Sequence, residues 1–171
     1  MSLSSRLVGI RMPAVALRST TGRKVDLASL PGGRTVIYCY PRTSEPGTPA
    51  PTGWDVIPGA RGCTPQACAF RDHHDDMARV GATVFGLSTQ ATSYQQEMAT
   101  RLHLPFEVLS DEDFQLTDAL SLPTFVADGM RLIERLTLVV KDGAIEHVLH
   151  PVTRPEKSAE DTLEWLSAHQ V

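Results

Sequence analysis

The run Arg34–Tyr40 (Arg-Thr-Val-Ile-Tyr-Cys-Tyr) constrains the fold more than any other segment of this chain. β-Branched and aromatic side chains crowd a helix but pack well on a pleated surface. A short run of them without polar alternation therefore fits a strand buried in a sheet. From Pro41 to Gly62 the pattern changes, with five prolines and four glycines in 22 residues. Proline fixes φ and withholds a donor, and glycine raises the entropic cost of order, so neither helix nor ladder runs through this stretch. Loops this long inside a compact domain are usually functional or disordered. This one opens onto Gly62-Cys63-Thr64-Pro65-Gln66-Ala67-Cys68.

Beyond the loop, Ala67, Phe70, Met77 and Ala78 recur at helical spacing, with Gly81 as a C-terminal stop. Pro65 suits the first turn, where its missing N–H costs nothing, and Thr64 is placed to cap it. Thr83–Ser88 reads as a second buried strand, Thr92–Leu102 as a second helix, and Phe106–Leu109 as a short strand. A helical turn or two follows from Asp113 to Leu120. Leu132–Val140 and Ala144–Leu149 flank Asp142-Gly143, a two-residue hairpin signal. Upstream, Ala14–Arg18 and Lys24–Leu27 flank a smaller hairpin turn. Ser158-Ala159-Glu160-Asp161 resembles a capping box and opens a final helix carrying Leu163 and Leu166. This order predicts an α/β sandwich, a mixed central sheet flanked by helices with an N-terminal β-hairpin, and it fits the thioredoxin-like fold. At 171 residues, the whole of 1–171 reads as one domain with its own core.

A net charge of −4 without any basic run argues against nucleic acid and anionic membrane as partners. No apolar stretch approaches membrane-spanning length, and the first residues lack a signal-peptide core, so the expected location is cytoplasmic. Thiols there stay reduced, and three cysteines, an odd number, point to redox or catalytic use. The adjacent His73 and His74 point to different sides of a helix, so no metal or other cofactor is expected.

Around a helix, at about 100° per residue, Cys63 falls with Ala67, Phe70, His74, Met77 and Ala78 on the face toward the sheet. Cys68 falls about 140° away, beside Asp72, Asp75 and Arg79. A helix N-terminus carries unpaired N–H groups and the positive end of the macrodipole, both of which favour thiolate over thiol. Thiolate is the nucleophile, whereas an ordinary cysteine titrates at about 8.5 and is mostly protonated at neutral pH. Cys63 is therefore the candidate reactive thiol. Residues five apart on a helix have Cα atoms roughly 8–9 Å apart, beyond the roughly 7 Å that a disulfide tolerates. Joining Cys63 to Cys68 requires the first turn or two to unwind. Cys39, inside the buried run, reads as a small core residue.

At these residues the chain resembles a known family. Gly62–Asp72 (Gly-Cys-Thr-Pro-Gln-Ala-Cys-Ala-Phe-Arg-Asp) is similar to the active-site signature of peroxiredoxins, specifically the Q-type or bacterioferritin-comigratory subfamily. Val36–Pro41 resembles the strand and proline before that family's active-site loop, and Gly86-Leu87-Ser88 its next strand end. Leu109–Asp113, and Arg135–Val140 with Asp142-Gly143 and Ile145–Val148, match further family segments. The resemblance implies a thioredoxin-like fold and thiol-dependent reduction of hydrogen peroxide or organic hydroperoxides. It makes Cys63 the peroxidatic cysteine, which becomes a sulfenic acid, and Cys68 the resolving cysteine of an intramolecular disulfide. It makes Arg135 the arginine that supports the thiolate and polarises the peroxide, a role suited to a permanent cation with a planar donor fork. A thioredoxin or glutaredoxin system is the implied reductant, and either a monomer or a homodimer is compatible with that cycle.

The chain departs from the family just before the cysteine. The family places proline seven positions before it and Thr or Ser three before it; here those positions hold Val56 and Ala60. Pro41 is the counterpart of that proline but stands 22 positions upstream, which implies an insertion of about fifteen residues. Thr43, Ser44, Thr64 or a backbone N–H are the candidates to replace the missing hydroxyl, and Trp54 either covers the pocket or pins the inserted loop to the surface, with pinning the expected role. Two other readings stay open at this stage. One is a non-enzymatic redox-sensing or binding protein on the same fold with Cys63 as the switch. The other is a thiol–disulfide oxidoreductase, a chemistry that usually separates its cysteines by two residues where four intervene here.

Overall fold

The computed structural model describes residues 2–44, 48–54 and 60–170. In chain order its elements begin with α1 (Leu3–Leu7), β1 (Ala16–Ser19), β2 (Lys24–Asp26) and β3 (Arg34–Cys39). After the loop come α2 (Cys63–Asp72), α3 (His74–Arg79), β4 (Ala82–Ser88), α4 (Thr92–Arg101), β5 (Glu107–Ser110) and α5 (Gln115–Ala119). The last third holds β6 (Thr124–Ala127), β7 (Met130–Ile133), β8 (Leu136–Lys141), β9 (Ala144–Leu149), a 3-10 turn at Pro155–Lys157, and α6 (Ser158–Ala168).

Every residue of β3 is buried, because it lies inside a sheet covered on both faces. The sheet order is β2-β1-β5-β4-β3-β8-β9. β3, β4 and β5 run parallel, while β1 joins β5, β8 joins β3, and β9 joins β8 in antiparallel fashion. Successive side chains of β3 point to opposite faces. Ile37 and Cys39 enter a core with Leu7, Phe85, Leu116 and Leu138. Val36, Tyr38 and Tyr40 enter a second core with Cys63, Ala67, Phe70, Met77, Met98 and Leu166, beneath α2, α3, α4 and α6. Tyr38 stacks flat on Phe70 at 4.3 Å and meets Phe106 edge-on. It pairs in register with Gly86, where a Cβ would come within 3.1 Å of the phenol ring; the glycine makes room for the tyrosine.

The fold matches the expected α/β sandwich with its mixed sheet and N-terminal hairpin, and differs in detail at four places. The helix expected to run unbroken to Gly81 breaks at His73, although no glycine or proline lies between Gln66 and Val80. The strand expected over Leu132–Val140 is two strands in different sheets, because Met130–Ile133 pairs with Thr124–Ala127 as a separate hairpin. Its turn, Asp128-Gly129, has φ of 49° and 74°, the positive pair that Asp142-Gly143 also adopts at 52° and 79°. The capping box at Ser158 does not form, since α6 has no side-chain cap and the Ser158 hydroxyl donates back to the Pro155 carbonyl at 2.9 Å. Finally, α1 was not foreshadowed; Ser2 caps it, accepting from the Ser5 N–H at 3.1 Å.

Candidate active site

Gly62 turns the chain into α2 with φ of 102°, a left-handed conformation that side chains other than glycine resist. A Cβ there would also strike the Pro155 ring, 2.8 Å from its Cγ. Thr64 makes no cap, so the orphan N–H groups of the first turn are not capped by a side chain. Cys63 is the first helical residue and is 7% exposed, tucked under the second core, whereas Cys68 is half-buried on the other side of the helix. This is the difference in environment that helical spacing predicts. All three cysteines are free thiols. Cys39 faces the opposite core, where burial pushes its thiol up well above the ordinary range and keeps it protonated. It takes no part in the site.

Arg135 lies in the two-residue junction between β7 and β8. Its side chain is buried there, 3% exposed. Its Nη2 donates to Cys63 Sγ at 3.3 Å and to the carbonyls of Ala60 and Arg61 at 3.1 and 2.9 Å. Its Nη1 donates to Gln66 Oε1 at 2.5 Å. A buried cation is costly unless its hydrogen bonds are met, and these acceptors meet them. The Cys63 thiol itself faces the Ala60 carbonyl at 3.9 Å. Ala60 thus contributes a backbone oxygen where the family has a hydroxyl side chain.

Cys63 and Thr64 open onto a cavity of about 230 Å³, lined also by Arg42, Thr43, Ser44 and Trp54. The three hydroxyl residues named as replacements all stand on its wall, and so does Thr48, which the sequence did not single out. Gln90 holds the Thr43 backbone on both sides, accepting from its N–H at 2.9 Å and donating to its carbonyl at 2.8 Å. Trp54 both walls the cavity and packs against Phe125 at 6.1 Å, and the Thr52 N–H donates to Asp128 at 2.9 Å. Through Thr52 and Trp54 the loop is therefore pinned to the β6–β7 hairpin, as expected. Val56 lies outside the described residues. Beneath the cysteine, Tyr38 and Tyr40 are buried, and burial pushes both phenols up, so they remain neutral.

The site also contains Gln66, which stands three residues after Cys63 on the same face and bonds Arg135. Helical spacing places it there, and a glutamine on a buried face is itself a signal, since buried amides need partners. Nothing in the sequence links it to Ser158, which receives its Nε2–H at 3.0 Å.

A family model described as Redoxin matches residues 7–163. The chain belongs to the Redoxin family. Within it this chain stands with the Q-type peroxiredoxins. It is 31% identical over 161 residues to the chloroplastic peroxiredoxin Q of Oryza sativa subsp. japonica, a match covering 94% of this chain and 66% of that one. The chain spans just under two thirds of that relative's length. It is 29% identical to peroxiredoxin Bcp of Escherichia coli, covering 92% of this chain and 93% of the relative. Among solved structures, peroxidoxin BcpB from Mycobacterium tuberculosis superposes with a TM-score of 0.76 at 24% identity, over 96% of this chain and 99% of that one. The thioredoxin-like fold of this Redoxin chain follows from that likeness. No helix among the described residues is long and apolar enough to cross a membrane.

Proposed function

We propose that this chain is a thiol-dependent peroxidase with Cys63 as its attacking sulfur, Cys68 as its resolving sulfur and Arg135 as its polarising cation. The observation that carries the reading is the buried Arg135 guanidinium 3.3 Å from Cys63 Sγ at the foot of an open cavity. The Cys63 thiolate attacks one peroxide oxygen, the O–O bond breaks, and the departing alkoxide or hydroxide takes up a proton. Arg135 stabilises the negative charge that builds on the oxygens as it does so. Cys63 becomes a sulfenic acid. Cys68 then displaces water from it, giving a disulfide, and a dithiol reductant of the thioredoxin or glutaredoxin class restores both thiols by exchange.

Hydrogen peroxide and organic hydroperoxides are the proposed substrates, the whole of 1–171 the proposed catalytic domain, the cytoplasm the proposed location, and a monomer or homodimer the proposed assembly. Peroxide consumption sustained by a thioredoxin system tests the reading. Cys63→Ser is expected to abolish turnover, and Cys68→Ser to leave the first oxidation intact while trapping the sulfenic acid. Stoichiometric oxidation of Cys63 without turnover would instead identify a redox switch. Normal turnover of Cys68→Ser on thioredoxin would remove Cys68 from its role.

A further inference from the structure

The first turn of α2 is held from outside by the segment that leads into the last helix. Gln66 is fully buried and lies in sequence between the two cysteines, and its amide is used at both ends. Its oxygen accepts from Arg135, and its nitrogen donates to Ser158 Oγ at 3.0 Å. Ser158 is itself 2% exposed, and its hydroxyl proton goes to the Pro155 carbonyl. Thr162 closes onto the Ser158 carbonyl at 2.7 Å, which fixes that residue in the helix. The Pro155 ring stands against Gly62, where no Cβ would fit. Pro155 and Ser158 therefore touch α2 at two points, one just before Cys63 and one just after it.

We propose that Ser158 is a positioning residue which, through Gln66, sets how readily α2 opens for disulfide formation. It thereby sets how the Cys63 sulfenic acid divides between resolution by Cys68 and further oxidation. The inference rests on the Cys63–Cys68 cycle proposed above. In that step the Cys68 sulfur attacks the sulfenic sulfur, the S–O bond breaks as the S–S bond forms, and hydroxide leaves with the Cys68 proton as water. No outside oxidant or reductant is consumed.

On an intact helix the two Cα atoms stand roughly 8–9 Å apart on different sides, too far for the bond. Opening the turn between them moves Gln66 and pulls its amide from Ser158. The Gln66–Ser158 bond exists only in the closed helix, so it favours the peroxide-reactive state over the resolving one. A buried donor that loses its acceptor shifts such an equilibrium by roughly tenfold. A hydroxyl almost a hundred positions downstream in sequence then governs a step in which it takes no chemical part.

The test uses the full reduced chain mixed with hydrogen peroxide, quenched over time and read by intact mass for sulfenic, disulfide and sulfinic forms. Ser158→Ala is expected to form the disulfide on the order of tenfold faster, to accumulate less sulfinic acid in excess peroxide, and to oxidise Cys63 no faster in the first step. Ser158→Thr, which keeps the hydroxyl, is expected to return the wild-type rate. Disulfide formation in the alanine variant within about twofold of wild type would overturn the proposal, as would a threonine variant as fast as alanine. If the wild-type chain forms no Cys63–Cys68 disulfide, the underlying cycle falls and this proposal with it. Should the alanine variant not fold, hydrogen exchange on the wild type decides. Amides over 156–162 must lose protection when the disulfide forms, and unchanged protection overturns the proposal.

Discussion

Replacing Arg135 by lysine isolates what the guanidinium fork adds beyond its charge. Among the described residues, Arg135 donates from Nη1 to Gln66 Oε1, and from Nη2 to Cys63 Sγ and the Ala60 and Arg61 carbonyls. Lysine keeps the positive charge but offers a single point of donation, which cannot reach Gln66 and the sulfur while also holding both carbonyls. One preorganised donor lost at a developing oxyanion lowers a rate by about 10²–10³, or about 2.7–4 kcal/mol. Because the charge is retained, the lower end, about 10², is the expected loss. Each acceptor left bare inside the protein costs about 1 kcal/mol, which for a chain of this size is a fall of about 2–4 °C in Tm apiece. Stopped-flow oxidation of the reduced chain by limiting hydrogen peroxide gives the rate, and thermal unfolding gives the structural cost. A lysine variant within about threefold of wild type in rate, with an unchanged melting curve, would refute the assignment of polarisation to the fork.

Gly62→Ala combines a left-handed φ of 102° with an overlap against Pro155, 2.8 Å from its Cγ, and is expected to cost about 2–4 kcal/mol in denaturant unfolding. A variant as stable as wild type would show that the turn into α2 has room to shift. His147 and His169 both stack on Trp165, with ring centroids at 4.2 and 4.3 Å. Burial, and then the neighbouring His169, lower the His147 pKa below its ordinary value. The unfolded chain therefore binds this proton more readily than the folded one, so the contribution is full above about pH 6.5 and is lost as pH falls below it. Tm should drop between about pH 7.5 and about pH 5, and less so in His147→Gln; an equal drop in both would remove His147 as the cause.

The sequence carried the central strands because their residues are chosen for burial on both faces, and no partner is needed to see that in Arg34–Cys39. It also carried the unequal settings of Cys63 and Cys68, since a helix fixes which way each residue points before any neighbour is known. The β6–β7 hairpin turns on Asp128-Gly129, the same dipeptide as Asp142-Gly143, yet it was not foreshadowed. The apolar run Leu132–Val140 hid it, because hydrophobicity alone does not mark where a strand leaves one sheet for another. The break at His73 had no local mark, and Ser158 showed the pattern of a cap while its hydroxyl was committed to tertiary contacts. Gln66 and Ser158 are joined only by folding, 92 positions apart, and no local pattern announces such a pair.

Arg135 is supplied from the junction of β7 and β8, with a hydrogen-bonded ladder on either side of it. Cys63 rides on a helix of ten residues. The two halves of the proposed reactive pair therefore sit on different elements, a short helix and a sheet junction, which can open independently. In the proposed cycle, opening α2 carries the sulfur away while the cation stays with the sheet. If the proposed cycle holds, reactivity toward peroxide is expected to fade on warming once α2 frays, before the sheet that carries the charge melts.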